Sequence, residues 1–240
     1  MGAEDVTFTV RGREAFVRLP ERRDDGPIDW VWFAPVVDGQ PSARHDHLSR
    51  GILAAGLAFA GVSVGESYGS PAGREVFTAF HDEVTGRFGL APRVTLLAQS
   101  RGGLQHYAWA SEQPELVRRI GGNYPVCDIR DWPGLERAAP AYGLSPGDLE
   151  RDLDAHNPLA VLEPLARAGV PLFHVHGDQD TVVPHTAHTE KLAARYRELG
   201  GSIEVDVVPG YGHEEADVFF VNARLLSFLL YGDPDRDPGR

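Results

Sequence analysis

The 240-residue chain carries 23 Lys and Arg against 35 Asp and Glu, a formal net charge of −12, which is a poor basis for binding nucleic acid or other polyanions. A single cysteine, Cys127, excludes an internal disulfide and a zinc ribbon, and no run approaches the roughly 18 consecutive apolar residues of a membrane span. With 42% hydrophobic residues the chain can build a sizeable core; its first residues lack the basic-then-apolar pattern of a secretory signal, so a reducing cytoplasmic setting is expected.

In chain order, alternating or continuous apolar runs predict eight strands, at 6–10, 15–19, 28–36, 57–64, 94–100, 120–126, 172–177 and 203–208. The first two are short and partly alternating, as in an antiparallel edge hairpin. Later runs, such as Val94-Thr95-Leu96-Leu97-Ala98, suit strands covered on both faces, the condition of a parallel sheet. Apolar residues near helical spacing predict helices at 46–55, 74–87, 102–112, 158–168, 186–199 and 214–230, with Gly56 and Gly200 as stop signals. The alternation from residue 28 onward reads as an α/β fold. It is expected to be a mostly parallel, doubly wound sheet of about eight strands in one domain over 1–240.

Residues 128–157 break this rhythm. Trp132, Pro133, Pro140, Tyr142 and Pro146, with the helix-start pattern Ser145-Pro146-Gly147-Asp148, predict an ordered cap insertion after the sixth strand. A plain surface excursion is the alternative. The tail, 232–240, is rich in Asp, Pro and Gly and is expected to fray.

The sharpest local signal is Leu97-Ala98-Gln99-Ser100-Arg101-Gly102-Gly103. A buried strand runs straight into a serine, then two glycines, then a helix. A serine at so tight a turn is crowded, and small residues two positions away on each side, here Ala98 and Gly102, relieve the crowding. Helix N-terminal N–H groups beside the hydroxyl suit an anionic intermediate. A serine serving only as a helix N-cap is the plain alternative. Two later segments weigh against it. The strand ending His174-Val175-His176 leads into Gly177-Asp178-Gln179-Asp180-Thr181-Val182-Val183-Pro184, and the last strand ends at Val208-Pro209-Gly210-Tyr211-Gly212-His213-Glu214. Ser, Asp and His thus each follow the C-terminal end of a predicted strand, the edge where open α/β sheets bind ligands.

Over nearly its whole length the sequence resembles the alpha/beta-hydrolase superfamily of serine hydrolases. The resemblance rests on Gln99-Ser100-Arg101-Gly102-Gly103, His176-Gly177-Asp178-Gln179-Asp180-Thr181-Val182-Val183-Pro184 and Gly210-Tyr211-Gly212-His213. The second piece is similar to the acid loop of dienelactone-hydrolase-like and prolyl-oligopeptidase-like members. Gly65-Glu66-Ser67-Tyr68-Gly69-Ser70 resembles the family's Gly-rich loop after the fourth strand. The resemblance implies Ser100 as nucleophile, Asp180 as acid and His213 as general base. Asp178, which could simply turn the chain, and Asp128, after the sixth strand, are the other candidate acids. The first oxyanion donor would be the N–H of Arg101. The second would come from the loop after the third strand, where Pro35 has no N–H and leaves Val36 or Val37. Ala98 departs from the family's first elbow glycine, and no His-Gly-Gly-Gly run is present.

Candidates for substrate contact are Arg101, Glu66, Tyr68, Tyr124, Trp132 and Tyr142, with ordinary packing an equal account of each. The Arg101 guanidinium could brace an oxyanion or a substrate carboxylate, or form a structural ion pair with Glu66. A Ser-Arg pair also resembles the elbow of glucuronoyl esterases, at those two residues only. Ten histidines invite a metal reading through His45 and His47, His174 and His176, or His185 and His188. No Cys or carboxylate completes a set, so neither metal nor cofactor is expected.

The expected function is serine hydrolysis of a small-molecule carboxylic ester, carboxylate-bearing or sugar-derived, through an acyl-enzyme. The alternatives are a prolyl-oligopeptidase-like peptidase, a non-hydrolytic acyltransferase, lyase or cyclase, and a catalytically silent binding protein on the same fold. The expected partner is the ester alone, without nucleic acid or membrane, and the protein is expected as a monomer or homodimer.

Overall fold

A computed structural model describes residues 4–21, 26–35 and 39–237. Its strands are β1 (Glu4–Val10), β2 (Arg13–Leu19), β3 (Trp30–Phe33), β4 (Ala58–Val62), β5 (Val94–Gln99), β6 (Val117–Asn123), β7 (Leu172–Gly177) and β8 (Ile203–Val208). They form one sheet in the order β1-β2-β4-β3-β5-β6-β7-β8. β1 and β2 are an antiparallel hairpin and β2 joins β4 antiparallel; every pairing from β4 to β8 is parallel.

Side-chain alternation splits the strands' apolar residues between two cores. Trp30, Trp32, Leu96 and Ala98 face one side, and Val31, Phe33 and Leu97 the other. The first face is covered by α2 (Pro71–Phe88), α3 (Gly102–Glu112), α6 (Glu163–Arg167) and α7 (Thr189–Glu198), which contribute Phe77, Phe80, Tyr107, Trp109, Leu165, Leu192 and Tyr196. Trp32 anchors that side, with the rings of Phe77 and Trp109 each 4.9 Å away. The second face is covered by α1 (Asp46–Ala54) and α9 (Ala223–Tyr231), through Leu48, Ile52, Leu225 and Leu229.

Several boundaries differ from the sequence reading. The strand expected at 28–36 is only Trp30–Phe33; Ile28 makes an isolated bridge to Leu90, and Pro35 offers no N–H to continue the ladder. The strand expected at 120–126 starts three residues earlier and ends three earlier. Its first turn of polarity is structural: Arg118 bonds Asp29 at 2.6 Å, and Arg119 reaches the Phe228 and Leu229 carbonyls at 3.2 Å. The helix expected at 158–168 shrinks to α6. The helix expected at 214–230 is two, α8 (Asp217–Phe220) and α9. Asn222 is extended between them, and its side chain accepts the Leu225 N–H at 2.8 Å, starting a new helix.

The segment 128–157 carries α4 (Leu135–Tyr142) and α5 (Pro146–Asp152). Ser145 caps α5 by accepting the Asp148 N–H at 3.1 Å. Ala138, Ala139, Leu149 and Leu153 pack against Tyr68, Leu104, Val126 and Val183, which seats the insertion on the loops at one end of the sheet. In the described part of the tail, Ser227 Oγ donates to the Asp233 carbonyl at 2.7 Å, and the Arg236 guanidinium lies 3.8 Å from the Tyr231 ring centroid. Residues 238–240 lie outside the described residues. No helix among the described residues is long and apolar enough to cross a membrane.

Burial shifts several of the histidines in the core or at its edge. It pushes His174 down to about 3, with His176 and His185 adding to the shift, and pushes His106 down to about 3. Burial also lowers His45 and His188. Unfolded histidines take up protons below about 6.5, whereas in the fold His174 and His106 stay neutral well below that and His45 and His188 are shifted in the same direction. Their contribution to stability is therefore complete above that pH and is lost as pH falls. Each of the two deepest costs about 1.4 kcal/mol per pH unit below about 6.5. Thermal melts should show Tm falling steadily from pH 7 to pH 4.5; a flat or rising Tm over that range would contradict the burial of these rings as neutral groups.

Candidate active site

β5 delivers Ser100 into the left-handed region, at φ 48°, and α3 begins two residues later. The turn is locked by its own backbone. Ser100 N–H donates to the Asn123 carbonyl at 3.0 Å, and the Ser100 carbonyl accepts from Gly103 at 2.9 Å and Val126 at 2.8 Å. A Cβ on Gly103 would stand 2.5 Å from the Val126 carbonyl oxygen, so glycine is required for that approach. Ala98 is fully buried. Tyr68 and Tyr124, after β4 and β6, also hold positive φ, at 48° and 40°. The segments that follow β4, β5 and β6 thus each hold a strained residue.

His213 Nε2 lies 2.9 Å from Ser100 Oγ, and His213 Nδ1 lies 2.7 Å from Asp180 Oδ2. Asp180 Oδ1 accepts the N–H of Val182 at 2.9 Å and of Val183 at 2.8 Å. The Asp180 side chain has no exposed surface. Burial pushes its carboxyl upward, but His176, His213 and the Val183 N–H outweigh burial and hold it well below the usual carboxylate range. Nδ1 of His213 therefore carries a hydrogen toward Asp180, and Nε2 is free to accept from Ser100. The ring of Tyr124 backs that of His213, centroid to centroid 4.4 Å.

The other two candidate acids are employed elsewhere. Asp178 Oδ1 accepts the Gly210 N–H at 2.7 Å, joining the loops that carry Asp180 and His213. Asp128 Oδ1 accepts from Asn157 Nδ2 and the Arg130 N–H, each at 3.0 Å, and so ties the two ends of the insertion. His188 reinforces that root. Its Nδ1 accepts the Cys127 N–H at 3.0 Å, and its Nε2 is 2.9 Å from Asp131 Oδ2.

The Arg101 guanidinium is ion-paired with Glu66 and lies 5.4 Å from the Trp132 ring centroid. Trp132 stands edge-on to Tyr68 at 5.9 Å, and the Tyr142 hydroxyl donates to the Tyr68 carbonyl at 2.8 Å. Arg101, Glu66, Tyr68, Trp132 and Tyr142 therefore form one cluster at the insertion, whereas Tyr124 sits under His213. Arg101 is the N-cap residue of α3, so its backbone N–H belongs to the turn beside Ser100. Val36 and Val37, the other oxyanion candidates, lie outside the described residues.

No family model and no curated protein matches the sequence. Solved structures do match the fold. Acylaminoacyl peptidase from Pyrococcus horikoshii superposes with a TM-score of 0.75 at 13% identity, over 99% of this chain and 43% of that one. Est1E from Butyrivibrio proteoclasticus gives 0.69 at 17% identity, over 96% and 98%. S-formylglutathione hydrolase from Staphylococcus aureus gives 0.75 at 13%, over 95% and 98%. The chain has the alpha/beta-hydrolase fold. It spans well under half the length of the peptidases it matches.

Within this fold the site has two further neighbours: His176, which the sequence offered only as a possible metal ligand with His174 and as the start of the acid-loop motif, and Thr189, which it did not single out. His176 Nε2 lies 3.3 Å from Asp180 Oδ2, and its Nδ1 lies 2.9 Å from Thr189 Oγ1. The signal for His176 was its place on the same strand face as His174; Thr189 gave none. Among the described residues, no three His, Cys, Asp or Glu side chains converge as a metal-binding set.

The close pairing of the last two loops depends on Gly177. A Cβ there would stand 2.1 Å from the Tyr211 carbonyl oxygen, two residues before His213. Gly177→Ala should destabilise the protein by about 1–3 kcal/mol in urea unfolding. A loss under about 0.5 kcal/mol, the range of neutral surface changes, would mean the two loops are not held this close.

Proposed function

We propose that the protein is a serine hydrolase that cleaves carboxylic esters through an acyl-enzyme. The observation that carries this reading is the hydrogen-bonded line from Ser100 Oγ to His213 to Asp180, at 2.9 and 2.7 Å. His213 Nε2 takes the Ser100 proton as Oγ attacks the acyl carbon, and Asp180 stabilises the imidazolium that forms. The tetrahedral oxyanion takes the Arg101 N–H and a second N–H from the segment after β3, Val36 or Val37. Collapse expels the alcohol, which receives the proton from His213. Water then repeats the sequence on the acyl-enzyme and releases the acid.

The ion pair with Glu66 bears on the substrate. It meets the Arg101 charge within the protein, which favours a neutral acyl group over a carboxylate-bearing one. Trp132 and Tyr68 supply the flat apolar wall that such a group would lie against. The peptidases among the structural neighbours support amide cleavage as the second reading. Both readings share the acyl-enzyme and differ in the leaving group.

Intact mass after treatment with a fluorophosphonate should show one adduct, mapping to Ser100, and Ser100→Ala should abolish it. The same variant should lose at least about a thousandfold in kcat on a p-nitrophenyl ester, since a nucleophile acts as a unit with its base. An Ser100→Ala protein that turns over at the wild-type rate would overturn the mechanism. Matched p-nitrophenyl esters and peptide p-nitroanilides then separate the two readings: turnover of esters alone sustains the proposal, and faster turnover of anilides replaces it with peptidase activity.

A further inference from the structure

The mechanism above leaves unused a second line of buried polar groups that also ends at Asp180. His176 Nε2 lies 2.8 Å from the Val183 carbonyl oxygen and 3.3 Å from Asp180 Oδ2. Both neighbours are acceptors, so Nε2 must carry a hydrogen. On the far side of the ring, Nδ1 is 2.9 Å from Thr189 Oγ1, which is 3.1 Å from His174 Nδ1. His174 Nε2 is in turn 2.6 Å from the Tyr107 hydroxyl. Tyr107, His174, His176 and Thr189 are all fully buried.

With both rings neutral, one set of hydrogens satisfies the whole line. Tyr107 donates to His174 Nε2, His174 Nδ1–H to Thr189, the Thr189 hydroxyl to His176 Nδ1, and His176 Nε2–H to Val183 and Asp180. Every donor points toward the carboxylate, so each bond polarises the next in the same sense.

We propose that His176 is a positioning residue of the acid, fixing the rotation of the Asp180 carboxylate, and that Thr189, His174 and Tyr107 hold His176 in the tautomer that does so. This rests on the reading of Ser100, His213 and Asp180 as the working triad. The geometry explains why the acid needs a second holder. Oδ1 is fixed by the Val182 and Val183 amides, whereas Oδ2 takes a hydrogen bond from His213, the member of the site that must change charge during the reaction. His176 approaches Oδ2 from a central strand and also holds the Val183 carbonyl. Val183 thus gives its N–H to Asp180 and its oxygen to His176, closing a small ring of contacts around the acid. The titratable groups facing His176 are Asp180, with His213 beyond it, His174 on the same strand, His185 with its ring edge-on at 5.4 Å, and His188 before α7.

Removing the His176 N–H leaves the carboxylate charge shared with fewer donors. More of it then falls on His213, which favours the imidazolium and moves the acid limb of the rate profile to higher pH. The test compares His176→Phe, which keeps a buried ring without a donor, with His176→Gln, whose side-chain amide can reach the same acceptors. The probes are p-nitrophenyl butyrate and a fluorophosphonate, used on the full chain with Tm measured alongside. His176→Phe should lower kcat about tenfold, a part of the 10²–10⁴ that general acid–base catalysis supplies, with KM within about twofold and the acid limb displaced upward. His176→Gln should recover most of the loss.

A His176→Phe protein with the wild-type kcat and pH profile overturns the proposal, whatever its Tm, because a packing role would move stability alone. If His176→Phe does not fold, Thr189→Val serves instead. It removes the partner of Nδ1 and should shift rate and profile in the same direction by a smaller factor; no shift overturns the proposal. Fluorophosphonate labelling of wild-type Ser100 keeps the two failures apart. With Ser100 labelled and the variants silent, only the positioning role falls; with Ser100 unlabelled, the triad reading falls and takes this one with it.

Discussion

Asp180 holds a negative charge in a side chain that water does not reach. A carboxylate in that position is tolerable only if donors replace its hydration, and the structure gathers them from three directions: the amides of its own turn, His213 from the last loop, and His176 from the strand behind. The local architecture follows from this demand. The turn from 180 to 183 must coil tightly enough to present two consecutive N–H groups. The loop from 208 to 213 must approach closely enough to bring in the histidine, which the Asp178–Gly210 bond and the bare face of Gly177 permit. Neither loop has a reason to adopt its conformation without the other.

The same edge of the sheet gathers strain. Tyr68, Ser100 and Tyr124 sit in left-handed backbone in the segments after β4, β5 and β6, where a side chain is disfavoured. Such residues persist where the surroundings over-determine them. Here the surroundings are parallel strands packed on both faces, with paired tryptophans below and the α9 helix above. A rigid sheet lets the connecting turns carry unfavourable geometry, and one of those turns presents Ser100.

Much of this was legible in the residues. Apolar runs marked the inner strands, because a strand covered on both sides has no polar face to advertise, and partial alternation marked the first hairpin. The order Ser, Asp, His and the glycines beside them located the site. What was not legible depended on partners distant in sequence. Arg118 and Arg119 hid the start of β6, since nothing local says that their charges would be met by Asp29 and by the carbonyls of α9. Asn222 divided a continuous apolar pattern because its cap competes with helix continuation. For Arg101, the sequence weighed a substrate contact against an ion pair, and only the fold brings Glu66 to it across 35 residues. Thr189 fell inside the helix expected at 186–199 and carried no signal of its own; in the fold it opens α7 with two histidines of β7 against its hydroxyl.

His188 and Thr189 are consecutive, and their side chains are committed to different walls of the site. The first grips the root of the insertion through the Cys127 amide and Asp131, and the second bridges His174 and His176 beneath the acid. A single peptide bond joins these two anchors. The root of the insertion and the support beneath Asp180 are therefore fastened to the fold at one place, the start of α7.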